Sequence, residues 1–270
     1  MFIKGRGIRN GEEEGSRNAD PAQYTRVAVL RLPGSDFPLY NASLTLGGCA
    51  VPSLTIENYV KSIYLLCDGE AGAAAATGKV AMALDVSPGT VTSMLKTLKE
   101  TGLAEYTPYE GVRLTDAGRK LALRVLRRHR LIELFLSRTL NMSWDEVHEE
   151  AENMEHAVSD LLIDRIDEFL GYPASDPHGD PIPKADGTVL AAMTCALSQG
   201  EVGQRFKIER VVDQSPEFLR YLSEVGLPLG AEGTVVTHRP ESGVITLAVD
   251  GAHTTLASSV AQKLMVSLQQ

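Results

Sequence analysis

The sequence predicts a mainly α chain with β structure gathered at its end, closing in a small β-barrel, and three observations carry that expectation. From Ser53 to Leu170 the apolar residues recur at helical spacing, while from Gly203 onward they come in short alternating runs. Between the two lies PASDPHGDPIPKADG, residues 173–187, which is rich in proline and glycine, has neither period and reads as a domain boundary. With 270 residues, 43% hydrophobic and 23% charged, the chain is long enough for two or more compact units, each with its own core.

Taken in order, residues 1–52 open with MFIKGRGIRNGEEEGSRNADP, glycine- and charge-rich without periodicity, followed by one strand-like piece, RVAVLRLPG. A disordered N-terminal extension is expected there; a translation start near Val51 is the alternative. From Ser53 to Cys67 the residues Ile56, Tyr59, Val60, Ile63 and Cys67 line one helical face, and DGEAG ends the pattern. TGKVAMAL and PGTVTSMLKTLKETG follow as two helices split by DVS, with proline at the start of the second and glycine just past its end. LAEYTPYEGVRLT then reads as a hairpin turning around Pro108 and Gly111, so residues 53–122 form a winged helix-turn-helix.

A long helix is expected over Asp116 to Leu140, with Leu121, Val125, Ile132, Phe135 and Leu136 facing inward, and a second single helix from about Ser143 to Leu170, ended by GYP. Residues 123–187 would then be a helical domain with a proline- and glycine-rich loop. In the last domain, residues 188–270, the runs QRFKIERVVD, GTVVTHRP, GVITLAV and KLMVSL predict strands and PEFLRYLSEVG a helical insert, together an SH3-like barrel.

The formal net charge of −9 would by itself argue against a nucleic-acid partner, yet the charge is unevenly placed. Thr77 to Arg138 carries eleven Lys or Arg against six Asp or Glu, a local +5, whereas Asn141 to Leu170 carries ten acidic residues against one Arg. No run of about 18 apolar residues could span a bilayer and no apolar segment follows the basic residues near Met1, so a cytoplasmic protein without membrane contact is expected. Cys49, Cys67 and Cys195 stand far apart and form no C-x-x-C pair, which favours neither a disulfide framework nor a thiolate zinc site.

Major-groove reading needs small polar side chains and close backbone approach at the start of the second helix of a helix-turn-helix. Ser87, Pro88, Gly89, Thr90, Thr92 and Ser93 supply them, and Lys79, Lys96, Lys99, Arg119 and Arg124 are candidates for phosphate contacts. A solvated basic helical face, or a winged helix used to bind protein, would suit the same residues.

In VHEEAENMEHAVSD, residues 147–160, His148, Glu152, Glu155 and His156 fall within an arc about 100° wide at about 100° per residue. His129 and Glu133 are i, i+4 neighbours on the preceding helix. Imidazole and carboxylate ligands without thiolate suit Mn(II), Fe(II), Co(II) or Zn(II). The alternatives are a solvated acidic face, a purely structural metal, or a helical dinuclear enzyme; that last class needs repeated Glu-x-x-His pairs, and the chain has no such repeat.

TIENYVKSIYLL, VSPGTVTSMLKTLKETGL, RLTDAGRKLALRVLRRHRLIELFL, VHEEAENMEHAVSD and DPHGDPIP, in this order from about residue 53 onward, resemble the diphtheria toxin repressor family of metal-dependent transcriptional repressors. The resemblance implies a homodimer on a near-palindromic double-stranded DNA operator, and a C-terminal barrel of the FeoA kind. It implies two metal sites per subunit: an ancillary site of His129, Glu133 and His148 completed near Gln214 and Glu217, and a primary site of Glu152, Glu155 and His156 completed by Asn58 from the first helix.

This chain departs from the family at telling positions. Glu152 stands where iron-responsive members have cysteine, Asn58 where members have methionine or aspartate, and Asp176 where many have cysteine. Lys61 stands where members with a coupled binuclear site have a glutamate, so two separated sites are expected. The hard ligand set implies Mn(II) as co-repressor ahead of Fe(II), with Co(II), Zn(II) or Cd(II) as substitutes in vitro.

Overall fold

The computed structural model describes residues 45–46, 49–50, 53–67, 74–190 and 192–269. The expected N-terminal extension lies outside the described residues except for two short paired strands, β1 (Thr45–Leu46) and β2 (Cys49–Ala50).

The winged helix has the expected layout. Helix α1 (Ser53–Cys67) buries Ile56, Tyr59, Val60 and Ile63 against α2 (Thr77–Ala83) and α3 (Pro88–Glu100), whose inward residues are Val80, Val91, Leu95 and Leu98. Between α2 and α3, Asp85 takes a positive φ of 50°, and Ser87 then caps α3 by accepting from Thr90 N at 3.1 Å, with Pro88 at the first helical position. The wing pairs β3 (Ala104–Thr107) with β4 (Gly111–Leu114), and Ala75 adds a bridge to Val112. Gly111 is required there: its φ is +98° and a Cβ would stand 2.6 Å from the Ala75 carbonyl oxygen.

Helix α4 (Asp116–Leu140) starts at the Thr115 cap and ends on Asn141 in the left-handed conformation. At 25 residues it is about 37 Å long, enough to serve two cores. Its first half packs Ala122, Leu123 and Leu126 into the winged-helix core, and its second half packs Leu131, Ile132, Leu134 and Leu136 with Val147, Ala151, Ile163 and Ile166.

The expected single helix over 143–170 is two: α5 (Val147–Met154) and α6 (Asp160–Phe169). Ser159 causes the restart, accepting from Leu162 N with Asp160 in the first turn, and residues 155–159 form a turn instead of continuing the helix. Arg124, Arg127 and Arg128 of α4 pair with Asp160, Asp164 and Asp167 of α6, which accounts for much of the basic block beside the acidic one.

Residues 173–187 have no regular element, as expected, but they are not a free linker. Asp176 and His178 are buried, the His178 carbonyl accepts from Val211 N at 2.9 Å, and Arg130 donates to the Pro181 carbonyl at 2.6 Å. Gly179 makes this docking possible, since a Cβ there would meet the Glu209 carbonyl oxygen at 2.0 Å.

The C-terminal unit is an antiparallel sheet of β5 (Cys195–Ala196), β6 (Arg205–Val211), β7 (Glu232–Arg239), β8 (Val244–Val249), β9 (Ala252–Ala257) and β10 (Leu264–Gln269), in the order β5-β10-β6-β7-β8-β9. Helix α7 (Pro216–Glu224) lies between β6 and β7 and α8 (Ser258–Ala261) between β9 and β10, and both help enclose a core that includes Phe206, Ile208, Leu219, Ile245 and Val266. Four of these strands and α7 follow from alternation; β9 was not legible, because only Leu256 of its six residues is buried.

Candidate metal centre

Four segments converge where α4 meets α5. Helix α4 supplies His129 and Glu133, one turn apart, and α5 supplies His148 and Glu152. The turn after α5 supplies Glu155 and His156, and α1 brings Glu57, Asn58 and Lys61 across from the winged helix. Ending α5 at Met154 frees Glu155 and His156 from the helical arc, so they reach toward α1 and α4 instead of following His148 around one face.

Three groups of ligand atoms form, each with its members within 4.8 Å of one another: His129, Glu133 and His148; His129, Glu152 and Glu155; and Glu133, Asp176 and His178. The first is the expected ancillary set. The second takes two of the expected primary ligands but draws in His129, and the groups are linked through His129 and Glu133 where two separated sites were expected. His129 faces both ways, with Nδ1 2.6 Å from Glu155 Oε2 and Nε2 3.0 Å from Glu133 Oε1. His148 Nδ1 lies 3.1 Å from Glu133 Oε1.

The remaining expected ligands are placed as follows. His156 Nδ1 is 2.6 Å from Glu57 Oε2, so the first-helix residue that meets it is Glu57, one position before Asn58. Asn58 Oδ1 is buried and has no hydrogen-bond partner among the described residues. Gln214 Nε2 donates to Asp180 Oδ2 at 2.8 Å, and Glu217, largely exposed, lies 3.4 Å from Arg220; neither belongs to the three groups.

Burial makes the electrostatics severe, because Glu133 is 1% and Glu155 0% exposed, and a buried carboxylate is costly unless it is paired. Burial works against charge on His129, but hydrogen bonds to Glu133 and Glu155 and the Glu133 charge outweigh it and raise the imidazole to about 9. His156 is likewise raised to about 9: burial opposes its charge, and hydrogen bonds to Glu155 and Glu57 win. Burial raises Glu155, yet His129, His156 and the Lys61 charge hold it far below the usual carboxylate range, and Glu133 is held low by His129 and His148 in the same way. In the loop, burial pushes Asp176 up to about 7, helped by the charges of Glu133 and Asp180.

These residues fit a divalent cation. Asn58 Oδ1 and His178 Nδ1 are buried polar atoms without hydrogen-bond partners among the described residues, and the ligand groups consist wholly of nitrogen and oxygen donors. Cys67 and Cys195 belong to none of the groups.

Of the residues expected to contact DNA, Ser87, Pro88, Gly89, Thr90 and Ser93 are exposed on the first turns of α3, with Thr92 half-buried, and Lys79 and Lys96 are also exposed. The other proposed phosphate contacts are engaged within the protein: Lys99 donates to the Tyr106 carbonyl, Arg119 lies over the Tyr64 ring, and Arg124 is paired with Asp160.

Three family models match the chain: the iron-dependent repressor N-terminal DNA-binding domain over residues 53–112, the iron-dependent repressor metal-binding and dimerisation domain over 115–184, and the FeoA domain over 195–268. The diphtheria toxin repressor of Corynebacterium glutamicum is 27% identical over 222 residues, covering 78% of this chain and 95% of that one. The HTH-type transcriptional regulator MntR of Geobacillus kaustophilus is 36% identical over 126 residues, 47% of this chain and 87% of that one. Among solved structures, a manganese-dependent transcriptional repressor in complex with manganese matches with a TM-score of 0.71 and 39% identity, covering 79% of this chain and all 100% of that one.

Proposed function

The chain belongs to the iron-dependent repressor family that includes the diphtheria toxin repressor, is therefore a metal-dependent transcriptional repressor, and from that premise we propose that Mn(II) is its co-repressor ahead of Fe(II). The observation that supports manganese is Glu152: its carboxylate, with Glu155 and His129, makes an all-oxygen-and-nitrogen group at the α1–α5 junction. Such donors suit a harder ion, whereas a thiolate at that position would favour a softer one. A helical dinuclear enzyme, weighed on ligand types alone, is set aside by family membership.

In this reading Glu152, Glu155 and His156 hold the primary ion, with Asn58 Oδ1 and Glu57 as the donors from α1. His129, Glu133 and His148 hold the ancillary one, and Gln214 positions the neighbouring loop through Asp180. A bound divalent ion supplies the positive charge that lets these carboxylates share a centre with neutral imidazoles. Residues 53–122 read DNA, 123–187 bind metal and dimerise, and 188–270 brace the metal loop.

The route from metal to DNA runs through α1, which is packed in the winged-helix core while Glu57 and Lys61 reach His156, Glu152 and Glu155 on the other core. Ligation by α1 residues biases the angle of the wing relative to α5. It acts as a switch provided the DNA-competent arrangement binds the ion more tightly. In a homodimer two such wings address a near-palindromic operator, and α6 offers the surface for a second copy, with Leu161, Leu162 and Phe169 exposed beside Tyr172. No helix among the described residues is long and apolar enough to cross a membrane.

The test is anaerobic binding to an operator selected from random duplexes, read by fluorescence anisotropy in chelator and in graded Mn(II) or Fe(II). Binding is expected to need metal and to saturate at lower Mn(II) than Fe(II). Equal affinity in chelator and in metal would sink the co-repressor role, and saturation at lower Fe(II) would sink the manganese preference.

A further inference from the structure

The ammonium of Lys61 sits where the proposed primary ion would find its carboxylates. Lys61 Nζ lies 2.6 Å from Glu152 Oε1 and 2.6 Å from Glu155 Oε1, and its side chain is only 9% exposed. Buried lysines are rare unless paired, and this one crosses from α1, in the winged-helix core, to α5 and the turn after it. Glu155 is also approached by His129 Nδ1 at 2.6 Å and His156 Nε2 at 3.2 Å, so Lys61 is not its sole source of positive charge.

We propose that Lys61 is a tethered competitor for the primary metal site: its ammonium is the resident cation of the metal-free chain, and it must leave Glu152 and Glu155 before those oxygens can ligate. The proposal rests on the primary-site reading above. Protonated lysine has three donors and no lone pair, so it satisfies the carboxylates without ligating, and a like charge at the same two oxygens opposes a divalent ion. An ion therefore binds only the fraction of molecules in which Lys61 has swung out. If that fraction is about one in ten, the apparent dissociation constant is raised about tenfold over the intrinsic one. Because the tether belongs to α1, releasing it also loosens the metal-free link between the winged helix and α5. Lys61 would thus set both the metal threshold and the resting position of the wing.

The experiment compares the full-length chain with Lys61→Met, which keeps the length and apolar stem but removes the charge, by competition of Mn(II) against a fluorescent chelator and by thermal melts with and without Mn(II). Lys61→Met is expected to bind Mn(II) about tenfold more tightly or better, to melt lower than wild type in chelator, and to melt like wild type when loaded. Unchanged or weaker affinity would overturn the proposal. So would an equal loss of melting temperature in both states, which would mean that Lys61 stays paired when the ion is bound. Lys61→Gln gives the same affinity comparison should the methionine variant fail to fold. Glu155→Gln separates the two hypotheses: if it retains the full number of bound Mn(II) ions, the primary-site reading fails, whatever Lys61 does.

Discussion

The interior of the barrel and the interior at the α4–α5 junction are equally buried and built on opposite rules. Inside the sheet, Phe206, Ile208, Leu219, Leu222, Ile245 and Leu247 are shielded from solvent with only one another to satisfy. At the junction Glu133, Glu155, Asp176 and His178 are shielded just as fully, and each depends on neighbouring charges or polar groups. An apolar core has one stable condition, because burial favours it at any pH or metal concentration. A core of ion pairs has several, because its balance can be met by protons, by Lys61 or by a divalent ion. The difference locates the responsive part of the molecule without reference to any ligand.

The sharpest way to break that contrast is to remove the most heavily paired carboxylate. Glu155→Ala takes away the shared partner of Lys61, His129 and His156, and it is expected to abolish metal-dependent operator binding in an anisotropy titration with Mn(II). Breaking a buried pair by removing one member costs about 3–5 kcal/mol, so the same variant should melt well below wild type in chelator. Normal metal-dependent binding by this variant would show that Glu155 is structural.

On the barrel side, Phe206→Ala leaves a cavity in the dry core and is expected to cost about 3–5 kcal/mol in denaturant unfolding of the barrel. The decisive reading is its indifference: the loss should be the same with chelator and with Mn(II). A loss that shrinks in metal would mean the barrel core is energetically part of the centre.

Proton dependence gives a smaller effect with a fixed sign. His129 and His156 are raised to about 9 in the folded metal-free chain, so their stabilisation is full below the ordinary imidazole value near 6.5 and is lost as pH rises through 9. Asp176, raised to about 7, binds its proton more tightly when folded, and it too costs stability as pH rises toward 7. Glu133 and Glu155 are lowered, so their contribution is complete above the usual carboxylate range and does not oppose the trend. The chelated protein should therefore melt progressively lower from pH 6.5 to 9. The gap between the Mn(II)-loaded and chelated melts should widen over the same range, because ligating histidines must be neutral. A flat chelated profile would place these histidines outside any ion-pair network.

The same contrast explains what could be read from the sequence. The winged helix, α4 and most of the barrel are written in local periods, so Ile56, Tyr59, Val60 and Ile63 or the alternation of β8 reveal their faces at once. Of the centre, the α4 pair and the α5 residues were legible as residue types at metal spacing. The break at 155–159 was not, since ligand spacing suggested one continuous arc; the Ser159–Asp160 pair was the available signal of a new helix start. Glu57, the partner of His156, is 99 positions away in sequence, and nothing local distinguishes it from a solvated acid on a helix surface. Asp176 and His178 were hidden by a composition that describes a linker, because docking against α4 and β6 is a property of the folded chain.

The least costly test reaches the exposed start of α3, proposed to face DNA, where neither kind of core is touched. Ser93 is exposed on α3, two turns from its cap, and its hydroxyl has no role in the packing of Val91 and Leu95 behind it. If Ser93 reads a base, as proposed, Ser93→Ala should lower operator affinity by about 0.5–1.5 kcal/mol, the net worth of one hydrogen bond. Mn(II) affinity and both melting curves should be unchanged. Because phosphate contacts, the role proposed for Lys79 and Lys96, carry no sequence information, the loss should appear on the selected operator and vanish on unrelated duplex at the same salt. An equal loss on both duplexes would move Ser93 from base reading to backbone positioning. A change in Mn(II) affinity would mean that the recognition helix and the charged core are coupled even without DNA.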